Sequence, residues 1–216
     1  MIRNTFIILL CGSLFACNQP SKNESSASTA DTGKVQQPIL DDSLAKSPAS
    51  TDTGKTKTIT ATQLIIPGRS IGNIQLGEDV ANVSTTLGRP DSSDAAMGSS
   101  LMVWFAKHNP AGYRTSVFAH RNMGAKDEII SRIQKILITS PEFKTAEGFG
   151  VGSPEADIKK SYDLKPTSDY KNKDGKVQVY TDLDKGISFE IDAAGKCVGV
   201  VVHKPHDTSV AYLNMH

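Results

Sequence analysis

Cysteine is scarce in this chain, neither sign of charge is in excess, and no apolar run is long enough to span a bilayer. The three cysteines are Cys11, Cys17 and Cys197. Cys11 lies inside a leading apolar run, and with Cys17 engaged as argued below, Cys197 has no partner for an intramolecular disulfide. The folded part must therefore be held by its core. Cys197 is set among valines and reads as a small buried apolar residue rather than a reactive thiol. Over residues 63–216, 18 Lys plus Arg stand against 18 Asp plus Glu with the signs interspersed, which argues against nucleic acid as the main partner. The apolar run within 6–15 falls short of the roughly twenty residues that a spanning helix needs.

Signatures of chemistry are missing as well. Gly54-Lys55-Thr56 looks like the end of a phosphate-binding loop, but Ala49 stands where that motif requires Gly and no apolar strand precedes it. Gly148-Phe149-Gly150-Val151-Gly152-Ser153 fails the dinucleotide spacing at Ser153 and reads as a structural turn. Around Asn172-Lys173-Asp174-Gly175, Tyr170 and Thr181 occupy two calcium-loop positions that need oxygen ligands of another kind. Gly98-Ser99-Ser100 is not a nucleophile elbow, and neither His108 nor His120 has the context of a general base. His203, His206 and Asp207, with His216 beyond them, are the nearest approach to a metal-ligand set, yet three donors on a solvated tail read as incidental. The expectation is no catalytic residue, no metal and no cofactor.

What is present begins at Met1. One charge at Arg3, a short apolar block and Ala16 before Cys17 have the order of a secretory signal, assigned to residues 1–16. Leu14-Phe15-Ala16-Cys17 resembles the bacterial lipobox, in which the cysteine is acylated and becomes the new N-terminus. The resemblance implies lipidation at Cys17, and several acyl chains would hold the protein stably to a membrane. Asn18, where Asp would resemble an inner-membrane retention signal, favours the outer membrane, facing the periplasm. Residues 18–62 hold 15 Ser or Thr and no aromatic, a composition that cannot offset its own conformational entropy. Residues 17–62 are thus read as lipidated cysteine plus flexible tether, whose 45 residues after Cys17 span about 35–40 Å as a coil.

Residues 63–216 are of a size for one domain. Its first half resembles its second at an offset of about 75 residues, Gly77 matching Gly152, Val83 matching Ile158 and Leu87 matching Tyr162. Each half, about 63–140 and 141–205, predicts a short one-faced helix: Val80, Val83 and Leu87 line the first, and Ser153 caps the second, which carries Ile158 and Tyr162. Three strand candidates follow each helix, 101–106, 113–120 and 129–138, then 176–181, 187–192 and 196–203. Ile187, Phe189 and Ile191 alternate with Ser188, Glu190 and Asp192, which predicts one buried and one wet face. The predicted fold is α+β, two helix-plus-three-strand repeats forming antiparallel sheet with the helices packed on one face.

Leu76-Gly77, then Val83, Leu87, Gly88 and Pro90, followed by three strands, resembles the small envelope lipoproteins of the BamE/SmpA type and the tandem repeats of β-lactamase inhibitory protein. The resemblance implies a binding or assembly protein rather than a catalyst. The functional expectation is a lipid-anchored envelope module that binds an envelope or secreted protein. The alternatives are an inhibitor or immunity lipoprotein against a secreted enzyme, and an envelope hydrolase or small-ligand binder. Trp104 and Phe105 point to opposite faces of one strand, and Trp104 is read as core, with a contact surface as the alternative.

Overall fold

The structure, a computed structural model, describes residues 59–209 and 214–216. Among them the chain forms, in order, β1 (Leu64–Ile66), β2 (Ser70–Ile71), β3 (Ile74–Gln75), α1 (Val80–Leu87), β4 (Ser92–Ala96), β5 (Ser99–Phe105), β6 (Arg114–Arg121), β7 (Ser131–Ile138), β8 (Lys144–Thr145), α2 (Glu155–Ile158), β9 (Lys165–Asn172), β10 (Gly175–Asp182), β11 (Ile187–Ile191) and β12 (Cys197–His203). Cys17, the signal and the tether up to residue 58 lie outside the described residues. No helix among the described residues is long and apolar enough to cross a membrane.

An eight-stranded sheet in the order β4-β5-β6-β7-β12-β11-β10-β9 dominates, every neighbouring pair antiparallel. A small four-stranded sheet, β3-β2-β1-β8, lies apart from it in the pairing scheme, with β1 and β8 parallel. This corrects the expected fold. Among the described residues the protein is mostly β, and α-helix is limited to the eight residues of α1 and a single turn at α2, with short 3-10 turns at Ala61–Gln63 and Ala106–His108. Two helix-plus-three-strand repeats of the BamE/SmpA or β-lactamase inhibitory protein kind are not what the chain builds. Four strands of the large sheet follow each helix, and the two sets merge edge to edge where Val200–His203 pair with Lys135–Ile138.

The local reasons are legible. Asp79 caps α1 by accepting from the Ala81 N–H at 3.0 Å, and Gly88 ends it at φ +80°. Val80 and Val83 go under, whereas Leu87 stays 40% exposed, so the apolar face is narrower than its spacing predicts. At α2, Ser153 does not cap. Its hydroxyl accepts from the Gly150 N–H, Pro154 takes the cap position and the helix ends before Tyr162. Gly77 and Gly152 do sit in like turns: each has φ above +80°, and each donates its N–H at 2.7 Å to a strand carbonyl, that of Ile133 or Cys197.

One face of the large sheet carries the main core. Val117, Ile133, Ile136, Phe189, Val200 and Val202 are fully buried there with Ile65, Val83 and Ile158 of the covering elements. The other face is also covered, contrary to the wet face expected of β11. All five residues of β11 are buried, Ser188 and Glu190 included. Leu137 and Val201 on that second face pack under Met215, with Leu101 and Phe118 beside them.

Candidate functional site

Two places on the large sheet carry unusual chemistry. The first is a polar row on the second face, where register sets Lys135 opposite His203, Thr181 opposite Ser188 and Glu190 opposite Gly199. His203 donates through Nδ1 to the Lys204 carbonyl at 2.8 Å, since a carbonyl only accepts. Its Nε2 is then the acceptor for the Ser188 hydroxyl at 3.3 Å, and the chain of hydroxyls continues through Thr181 at 2.8 Å to Thr167 at 3.0 Å. Burial holds the His203 pKa below its ordinary value, so the ring is kept neutral. A serine beside a histidine has the look of a nucleophile and its base. Here both residues are fully buried, and the histidine's far nitrogen meets a backbone carbonyl instead of an orienting carboxylate. The pair is a satisfied core network.

Further along the same face, Lys135 is buried and donates to Ser209 Oγ at 3.0 Å, with Asp207 at 3.9 Å. Burial pushes its pKa down and Asp207 pulls it partly back. Glu190, also buried, accepts from Tyr170 Oη at 3.1 Å and sits 2.9 and 3.0 Å from His216 Nε2. The His216 ring lies 4.5 Å from the Tyr170 ring, and burial together with Glu190 raises the tyrosine's pKa. Gly199 makes room for this carboxylate, because a Cβ there would overlap it.

The second place is the β4 end of the sheet. Ser92, Ser93, Asp94, Ala95 and Ala96 are all exposed, and β5 is the strand's sole sheet neighbour. Alternate residues of an edge strand direct their N–H and C=O groups outward, and among the described residues these groups of β4 find no partner beyond β5. An open groove of about 660 Å³ runs beside it, lined by Val80 and Ser84 of α1 and by Ala95, Met97, Met102 and Ile129. Met97 is 96% exposed and Ile129 83%, and Met123 lies across Gly98 at the hairpin tip.

No protein-family model matches the chain, and no curated protein matches it. Among solved structures, similarity is found to a cysteine-rich secretory protein from Staphylococcus aureus subsp. aureus Mu50, at 16% identity over 68% of this chain and 48% of that one, with a TM-score of 0.39. An extracellular protein containing a SCP domain from Bacillus anthracis str. Ames is similar at 13% identity over 77% of this chain and 51% of that one, also with a TM-score of 0.39. The chain spans about half the length of each.

The sequence-singled residues scatter. His203 is buried, while His206 is exposed and faces Asp184 at 3.3 Å. Among the described residues no three His, Cys, Asp or Glu side chains converge as a metal site would require. Trp104 is 5% exposed and donates its indole N–H to the Gly88 carbonyl at 2.9 Å, which makes it core, while Phe105 on the opposite face lies under the Arg114 guanidinium at 5.3 Å. Cys197 is buried, and burial pushes its thiol up to about 12. The amides of Gly148, Phe149, Gly150, Gly152 and Ser153 all donate within the protein, so that turn is held together by its own hydrogen bonds. His108 pairs with Asp91 at 2.7 Å and His120 with Ser99 at 2.8 Å. Sequence reasoning passed over the β4 edge and the Glu190, Tyr170 and His216 cluster. The first has no apolar alternation, and the second joins residues 20 or more positions apart.

Proposed function

We propose that this chain is a non-catalytic, lipid-tethered protein of the bacterial envelope that binds a partner protein by adding one of its strands to β4. The open edge carries this reading. The far edge, β9, is guarded by Pro166 and by Lys165 and Lys171, the devices that discourage strand addition. On β4 the side chains are small, the single charge is Asp94, and apolar Met97 and Ile129 flank the strand as anchors. Main-chain hydrogen bonds supply affinity in strand addition, and pockets for alternate side chains supply selectivity. The signal-like start and Cys17 support the tether, and the buried, internally paired state of Ser188, His203 and Cys197 supports a binding role over a catalytic one.

A photo-crosslinking residue at position 95, compared with one at position 169 on β9, tests the docking edge in living cells. An adduct is expected from position 95, lost when the crosslinker chain also carries Met97→Lys and Ser93→Lys. Equal adducts from both edges, or none from position 95, would refute the proposal. The adduct's identity separates an assembly partner from a secreted enzyme held by an inhibitor. Membrane partition of Cys17→Ser tests the tether, which is rejected if the variant stays in the membrane fraction.

A further inference from the structure

The hairpin that joins β4 to β5 fixes which backbone groups of β4 are free. Ala96 pairs with Ser99 across Met97 and Gly98, which stand at φ +49° and +77°, the left-handed pair of a tight two-residue turn. Such a turn is closed by a hydrogen-bonded pair. Ala96, Asp94 and Ser92 therefore bond to β5, and by alternation Ser93 and Ala95 direct their N–H and C=O groups outward. Side chains alternate with the same period. Those of Ser93 and Ala95 lie on the groove with Val80 and Met102. Asp94 is instead opposite Leu101, which packs on the second face with Leu137. The groove makes little net demand for charge, since Asp79 caps α1 and Arg121, of opposite sign, is the other ion on its lining. Asp94 is exposed, and among the described residues its carboxylate meets no cation.

A second copy of this chain is the wrong occupant for that edge. Two antiparallel β4 strands use all the outward groups only when Ser93 of each faces Ala95 of the other. That register sets Asp94 against Asp94 in a non-hydrogen-bonded pair, with Cα atoms about 4.5 Å apart. Like charges directly opposite destabilise a strand pair, and opposite charges stabilise it. We infer that Asp94 is the selector of the docking edge. It turns away the chain's own β4 and accepts an antiparallel strand of another protein that carries Lys or Arg across from Asp94. The residues on either side of that cation are apolar and face the groove, where exposed Met97 and Ile129 meet them. This rests on the reading of β4 as an edge open to strand addition and adds what the incoming strand must carry.

The test uses the full chain and fluorescent peptides followed by anisotropy. The probes are Ser-Thr-Val-Lys-Val-Thr-Ser, the same peptide with Glu for its Lys, and both peptides methylated on their valine nitrogens. Methylation removes the hydrogens that would reach the carbonyls of Ser93 and Ala95, and it is expected to abolish binding. The Lys peptide is expected to bind about fivefold more tightly than the Glu peptide. The order should invert on Asp94→Lys. The preference should shrink as salt rises from about 0.1 M to about 1 M and the screening length falls from about 10 Å to about 3 Å. Melting curves report folding, and Asp94→Asn, which should level the two peptides, carries the comparison if Asp94→Lys is unfolded. Equal binding of the Lys and Glu peptides, both lost on methylation, would overturn selection by Asp94 and leave strand addition standing. Binding that survives methylation, or none by either peptide, would overturn both. A parent chain that sediments as a dimer, dissociated by Ala95→Lys, would also overturn the inference, because a second copy would then occupy the edge.

Discussion

Replacing Phe189 by Ala probes the sheet where its two sets of strands share one core. Phe189 is fully buried on β11, faces Tyr180 and Val200 across the neighbouring strands, and meets the Tyr162 ring edge-on at 5.2 Å and 62°. Truncating a buried Phe costs about 3–5 kcal/mol through lost transfer energy and the cavity left behind. The edge-to-face pair accounts for about 0.5–1.5 kcal/mol of such a loss. For a domain of this size, each kcal/mol moves the melting temperature by about 2–4 °C, so a fall of about 6–20 °C is expected. Thermal melts and urea titrations measure it, and the urea slope should hold if the unfolded state is unchanged. Met97→Ala is the matched control: at 96% exposure it should lie within about 0.5 kcal/mol of the parent. A Phe189→Ala melt within about 3 °C of the parent would mean that β11 does not face the common core.

Three further outcomes are expected. Cys197, buried with its thiol pushed up to about 12, should resist a thiol-reactive dye in the native protein and react promptly in denaturant; fast native labelling would contradict its burial. His203 is held below its ordinary pKa by burial, so the unfolded chain takes up a proton that the native state refuses. Its contribution is therefore at its full value above the ordinary histidine pKa of about 6.5 and is lost as pH falls below it. Urea midpoints at descending pH should drop less steeply in His203→Asn, and parallel slopes would refute the assignment. Trp104→Phe removes the indole donor to the carbonyl of exposed Gly88 and should cost about 0.5–1.5 kcal/mol for the lost hydrogen bond, with lost packing in addition, read as a lower melting temperature with the sheet intact by circular dichroism.

How far the fold was legible varies along the sheet. The cores of β5, β6, β7, β10, β11 and β12 fall within the six strand candidates read from the sequence, because each of these strands is rich in apolar residues that go into the core. The edge strands escaped. Ser92–Ala96 and Lys165–Asn172 bury almost nothing, so no periodic signal marks them, and only the backbone groups of β5 and β10 beside them make them strands. Missing them turned one eight-stranded sheet into two three-stranded repeats, and with that came the misplaced BamE/SmpA resemblance. The polar face of β11 was also misread, since Ser188 and Glu190 look solvated until the residues that cover them are brought in.

Residue order alone determined a short helix carrying Val80 and Val83, the turns at Gly77 and Gly152, the spans of the inner strands and the burial of Cys197, because each depends on neighbours a few positions away or on a side chain's own dislike of water. Tertiary structure decided the rest. Which strand lies at an edge, which face of β11 is covered, and which partners meet Lys135 and Glu190 all depend on segments that are distant along the chain and meet only when the β7–β12 seam closes. Hydrogen bonds and ion pairs across such separations leave no local period in the sequence, and they become visible only once the loops between them have been closed.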